Sequence, residues 1–188
     1  MIGWLLIVVV RLLWGLRARR KSFTGSANQC IYVANHTSHM DTVFILAMLP
    51  ARLRRRTRPV AAEEYWTAGP VRRFLIHSIF RGVLIERDRV QLNPLEPVAV
   101  ALRQGDSLIF FPEGTRGQAG AKTLQPLKPG IFYLARWFPQ VDIVPVWIGY
   151  SHHHISWSIT CGEPVHWKPG QEQVEFLAEV REAVEGLQ

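Results

Sequence analysis

A single α/β domain with a mostly parallel central sheet flanked by helices is the fold class this sequence predicts, on three observations. Short apolar runs of strand length, at residues 30–34, 59–62, 82–86, 107–111, 143–148 and 155–160, alternate with longer helical patterns. That alternation is the signature of parallel strands joined by helical crossovers. The 188 residues suffice for one substantial core and fall short of two ordinary domains. Two of the runs end in clusters of ionisable residues, and open α/β sheets gather their chemistry at the carboxyl ends of strands.

Residues 3–16 are almost wholly apolar, broken only by Arg11, and run straight into Arg17, Arg19, Arg20 and Lys21. As a helix, about 15 residues at ~1.5 Å each reach ~22 Å, short of a ~30 Å hydrocarbon core. The positive charge follows the apolar run, whereas a secretory signal has it first. The expected element over residues 1–21 is therefore an amphipathic, membrane-interfacial helix, with Trp4 and Trp14 at headgroup level and its basic tail on anionic lipid. A terminal helix packed on the domain's own core is the alternative. Residues 22–188 form the folded domain.

After the strand at residues 30–34, residues 42–49 read as a helix that is apolar nearly all round, with Phe44, Ala47 and Met48 on one face and Pro50 ending it. Arg52, Arg54, Arg55, Arg56 and Arg58 then place five arginines in seven residues, either a solvated face or a contact for lipid headgroups. Residues 66–80 read as a helix with an irregularity at Gly69-Pro70, and residues 97–103 as a helix closed by Gly105. Residues 117–126 form an open loop, Lys128-Pro129-Gly130 leads into a helix at 131–137, and an amphipathic helix at 174–184 closes the chain.

Composition narrows the classes of partner. Lys and Arg outnumber Asp and Glu by 22 to 15, a net charge of +7 that favours a polyanionic surface. No aromatic residues are interleaved among the arginines to stack bases, so anionic membrane lipid is the expected partner and nucleic acid is not. Cys30 and Cys161 stand far apart in no metal or redox spacing and read as free buried thiols in a reducing compartment. Of His152, His153 and His154, only the first and third share a strand face, with no acidic or cysteine ligand beside them, so no metal is expected.

Two constellations carry chemistry. In Asn35-His36-Thr37-Ser38-His39-Met40-Asp41 the strand delivers an imidazole and a carboxylate to one loop. An imidazole can take a proton from a hydroxyl, and a carboxylate can hold its tautomer. Ser38 and Asp41 also have the spacing of a capping box, so the carboxylate is either a helix cap or half of a dyad, and a dyad requires the chain to fold back between His36 and Asp41. In Glu113-Gly114-Thr115-Arg116, Gly114 permits a tight turn and Arg116 offers a fork for phosphate, whereas Glu113 and Arg116 as an ion pair would simply shape the loop. Arg87 ends another strand and can point to the same face.

These residues resemble the motif blocks of the glycerolipid acyltransferase family, the 1-acylglycerol-3-phosphate acyltransferases. The block at residues 35–41 is similar to that family's Asn-His-x-Ser-x-x-Asp, and Phe111-Pro112-Glu113-Gly114-Thr115-Arg116 to its Phe-Pro-Glu-Gly-Thr-Arg. Ile85-Glu86-Arg87 resembles the end of the second block, and Ile143-Val144-Pro145-Val146 the fourth. The resemblance implies transfer of a fatty acyl group from acyl-CoA or an acyl carrier protein thioester to the hydroxyl of 1-acylglycerol-3-phosphate, giving phosphatidic acid, with no cofactor and no metal. It implies His36 and Asp41 as the catalytic pair, and Glu113, Gly114, Thr115, Arg116 and Arg87 as acceptor-binding residues. It also implies a peripheral or monotopic enzyme at the cytoplasmic face of a membrane. Another lysophospholipid or a lyso-ornithine lipid is the alternative acceptor, and a non-catalytic lipid-binding module the alternative class. The chain departs from the family in having Arg81 where Gly is usual, Glu63-Glu64 where many members have Lys, and Gly117 where many have Ser.

Overall fold

The computed structural model describes residues 28–86, 93–118, 123–151 and 156–188, together with the backbone of residues 17–20. Its strands are β1 (Arg17–Arg20), β2 (Cys30–Ala34), β3 (Thr57–Ala62), β4 (Val83–Ile85), β5 (Ser107–Phe110), β6 (Asp142–Ser151) and β7 (Ser156–Cys161). They form one sheet in the order β1-β7-β6-β2-β5-β3-β4. β2 to β6 all run parallel, β7 turns back antiparallel on β6, and β1 lies parallel to β7 at the edge.

Helices cover both faces: α1 (Asp41–Met48) on one, and α5 (Glu96–Arg103), α6 (Gly130–Trp137) and α7 (Gln173–Glu185) on the other. The central strand β2 shows why both faces need cover. Cys30, Tyr32 and Ala34 pack with Phe44, Ile45 and Met48 of α1, whereas Ile31 and Val33 pack with Val98, Ile131 and Phe176 on the other side. All five strand residues are buried, as a period of two requires when a parallel sheet is sandwiched between helix layers.

Several elements differ from expectation. Residues 1–16 lie outside the described residues, and Arg17–Arg20, expected as the basic tail of an N-terminal helix, is instead the edge strand β1. The arginine run after Pro50 is a short helix, α2 (Ala51–Arg54), followed by the first residues of β3. The helix expected over residues 66–80 is divided into α3 (Glu63–Trp66), α4 (Pro70–Phe74) and a π turn (Leu75–Ile79) continuous with α4. Gly69 is fully extended and Pro70 occupies the first turn of α4, where its missing N–H costs nothing. Arg81 has φ 52°, the left-handed conformation that glycine adopts most readily. The loop is held in this form by the Arg81 side chain donating to Arg55 O at 3.1 Å and by its carbonyl accepting from Arg58 at 2.6 Å.

Candidate active site

β2 ends at Ala34, and the next side chain explains how that end is fixed. Buried Asn35 extends the pairing with β6 through its side chain, donating to Ile148 O at 3.0 Å and accepting from Ile148 N at 2.7 Å. The following residue, His36, is thereby delivered at the carboxyl edge of the sheet. Its ring stacks on Phe111 with centroids 4.1 Å apart, and its side chain is 21% exposed.

The chain does fold back between His36 and Asp41. His36 Nδ1 lies 2.9 Å from Oδ2 of Asp41, a carboxylate with no exposed surface. The same oxygen accepts the amides of Thr37 at 2.7 Å and Ser38 at 2.8 Å. One oxygen thus does what the two readings of Asp41 asked separately, tying down the turn before α1 and orienting the imidazole. Because a carboxylate oxygen only accepts, Nδ1 carries the proton and Nε2 presents its lone pair. Nε2 makes no hydrogen bond among the described residues, and His36 lines a cavity of about 740 Å³.

That cavity runs beneath the carboxyl ends of β3, β4 and β5. Its apolar wall includes Val60, Ile76, Phe80, Ile85, Leu95 and Phe110. Gly114, Thr115, Arg116 and Lys128 line it near His36. Its size falls within the roughly 300–1,000 Å³ typical of small-ligand sites. A site with an imidazole lone pair, two cations and a long apolar wall is suited to an amphiphile carrying an anionic head.

The chain matches the acyltransferase family model over residues 16–149. It belongs to the acyltransferase family. Among curated relatives, human 1-acyl-sn-glycerol-3-phosphate acyltransferase beta is 30% identical over 148 residues, covering 77% of this chain and 50% of that protein. The Limnanthes douglasii 1-acyl-sn-glycerol-3-phosphate acyltransferase is 28% identical over 155 residues, covering 77% and 49%. The chain thus spans about half the length of the curated relatives it matches. The crystal structure of the 1-acyl-sn-glycerophosphate (LPA) acyltransferase PlsC from Thermotoga maritima superposes with a TM-score of 0.75 at 21% identity, covering 99% of this chain and 78% of that one, which shows the fold.

Within this acyltransferase domain the expected site residues fall into three groups. His36, Asp41, Gly114, Thr115 and Arg116 converge on or beside the cavity. Glu113, expected to bind the acceptor, is buried behind the loop: Oε1 accepts His36 N at 2.9 Å and Oε2 accepts Gln125 N at 2.9 Å. With both oxygens taken by backbone amides and no place in the cavity lining, Glu113 is placed to position the histidine loop. The loop is closed from the other side by Gly117 N donating to His36 O at 2.8 Å. Arg87 and His152, His153 and His154 lie outside the described residues.

Two residues at this site were missed by sequence reasoning. Lys128 is exposed at the cavity, and its chain crosses Gly114 so closely that a Cβ there would sit 2.6 Å from Cε and 2.9 Å from Nζ. The signal was available in Gly114 itself, which has φ +68° and leaves room for the lysine. His39 sits in the turn just before α1 and accepts a hydrogen bond from Arg116 on Nε2. Burial, then the neighbouring charges of Arg116, His36 and Arg72, hold its pKa below the usual histidine range, against a weaker pull from Asp41. A neutral His39 is what Arg116 requires as an acceptor.

Proposed function

We propose that this chain transfers a fatty acyl group from an acyl thioester to the free hydroxyl of a lysophospholipid, with 1-acylglycerol-3-phosphate as the acceptor class that fits best. The observation that carries the reading is the buried Asp41 carboxylate on His36 Nδ1, which leaves Nε2 facing an apolar cavity that has Arg116 and Lys128 beside it. The names of its relatives point the same way.

In this reading the acceptor hydroxyl donates its proton to His36 Nε2 as its oxygen attacks the thioester carbonyl carbon. Asp41 stabilises the imidazolium that forms, in the manner of a hydrolase triad carboxylate. Collapse of the tetrahedral intermediate breaks the C–S bond, and the imidazolium returns the proton to the departing thiolate, so the histidine ends as it began. Arg116 and Lys128 bind the acceptor phosphate, and the apolar wall takes an acyl chain. Glu113 holds the histidine loop and touches neither substrate. The donor is acyl-CoA or acyl carrier protein, no metal or other cofactor takes part, and the enzyme works at the cytoplasmic face of a membrane.

The test is transfer from a radiolabelled thioester into a panel of lysolipids. Lysophosphatidate is expected to be acylated faster than lysophosphatidylcholine or a lyso-ornithine lipid. Faster acylation of a phosphate-free acceptor would remove the phosphate role, and labelling of no acceptor would favour a lipid-binding module.

A further inference from the structure

We propose that the outer turn of α4, with Val71 and Phe74 flanked by Arg72 and Arg73, seats on an anionic lipid bilayer and holds the cavity mouth against it. Val71 and Phe74 are 69% and 54% exposed, although both are large and apolar. Three residues apart on a helix, they share one face. Arg72 and Arg73 lie exposed between them, and residues 65–85 also carry His77 and Arg81 but no Asp or Glu. An exposed apolar pair within a cationic, acid-free segment is complementary to a surface that is negative at its headgroups and apolar beneath.

The position of this turn gives the surface a purpose. Arg72 donates to Tyr65 O at 3.3 Å and stands 4.4 Å over the Tyr65 ring, and Arg73 donates to Thr67 O at 3.0 Å. Tyr65 in turn stacks on His39, the partner of Arg116. The α4 turn is thereby tied through one ring to the cation at the acceptor end of the cavity. In the other direction the same helix continues into its π turn, where Ile76 is buried and lines the cavity. One continuous helix therefore has its outer turn on the surface and its inner turn in the cavity wall, the arrangement a lipid needs to pass from bilayer to site. The arginine run at Arg52, Arg54, Arg55 and Arg56 does not serve this mouth, because it precedes the amino end of β3 while the cavity lies at the carboxyl end.

The proposal rests on the reading that the substrate is a bilayer lipid, and the test separates the two. In the full chain, Phe74→Cys is labelled with a polarity-sensitive fluorophore, Cys30 and Cys161 being buried. Val174→Cys, at a site on α7 that is 77% exposed, serves as the comparison. Vesicles of phosphatidylcholine mixed with phosphatidylglycerol are expected to shift the emission of the label at 74 to the blue and to leave that at 174 unchanged. A label at 74 that still reports water when the protein cosediments with the vesicles would overturn the proposal, as would a failure to bind them. Kinetically, Val71→Asp with Phe74→Asp is expected to lower acyl transfer to vesicle-borne lysophosphatidate about tenfold or more while sparing a short-chain, monomeric lysophosphatidate. Equal loss on both acceptors would overturn it. If neither acceptor is acylated by the unmodified protein, the functional reading fails, and the fluorescence result still decides the docking surface.

Discussion

One carboxylate oxygen of Glu113 accepts the backbone amide of His36 at 2.9 Å, so an acidic residue 77 positions away holds the turn that presents the imidazole. The other oxygen accepts the amide of Gln125, which draws the loop beyond Arg116 into the same knot. Glu113→Gln keeps one acceptor but sets an NH₂ donor against the second amide. A buried donor left unpaired costs about 1–3 kcal/mol, and that loss is the expected change in urea unfolding. Turnover is expected to fall with the acceptor KM little changed. A selective rise in acceptor KM at full turnover would make Glu113 an acceptor-binding residue after all.

Asp41→Asn isolates the charge from the turn. The asparagine carbonyl can replace Oδ2 as acceptor for Thr37, Ser38 and His36, but it cannot balance an imidazolium. Turnover should drop on the order of 10²–10⁴. Asp41 Oδ1 has no hydrogen-bond partner among the described residues, so the new NH₂ is left unpaired at that buried position, a stability loss of about 1–3 kcal/mol. Comparing turnover with the melting curve separates the effects, and an unchanged turnover would reduce Asp41 to a cap.

Lys128→Ala should raise the acceptor KM about tenfold or more, in line with the ~1.5–3 kcal/mol of a hydrogen bond to a charged group. Gly114→Ala should act on the same step indirectly, since its Cβ meets the lysine chain at 2.6 Å and its φ is +68°. Steady-state kinetics with the acceptor varied checks both, and a KM that moves only for the acyl donor would assign the lysine to the other substrate.

His39 sets an expectation for pH. Its folded-state pKa is depressed below the ordinary value of 6.5, so the unfolded chain binds the proton more readily. The stability from a neutral His39 is fully present above 6.5 and is lost as pH falls through the depressed folded-state value. Protonation also removes the acceptor for Arg116. The acceptor KM should therefore climb on acidification more steeply in the unmodified protein than in His39→Gln, whose side-chain oxygen accepts at any pH. Identical profiles would show that His39 does not hold Arg116.

The parts of the fold that were legible in sequence are those set by local pattern. β2 occupies residues 30–34 as expected, because a five-residue apolar run that stops at Asn-His has the length of a buried strand and is too short for a helix of ordinary length. The break at Gly69-Pro70 was visible, but the π turn that follows was not, and there Ile76 packs so close to Gly82 that a Cβ added at the glycine would lie 2.3 Å from Ile76 Cδ1. β1 was hidden because a run of arginines becomes a strand only through its long-range pairing with β7. At the site, the residue types of the dyad were plain, and the direction in which Glu113 points was not. Its partners lie 77 and 12 residues away, and no local spacing encodes either bond.

The decisive step of the proposed mechanism is transfer of the acceptor hydroxyl proton to His36. It is tested most directly by turnover of purified His36→Ala with a labelled acyl thioester and lysophosphatidate, the fold being checked by circular dichroism. Turnover is expected to be lower by on the order of 10²–10⁴ with an unchanged spectrum. Near-normal turnover in the folded variant would contradict it.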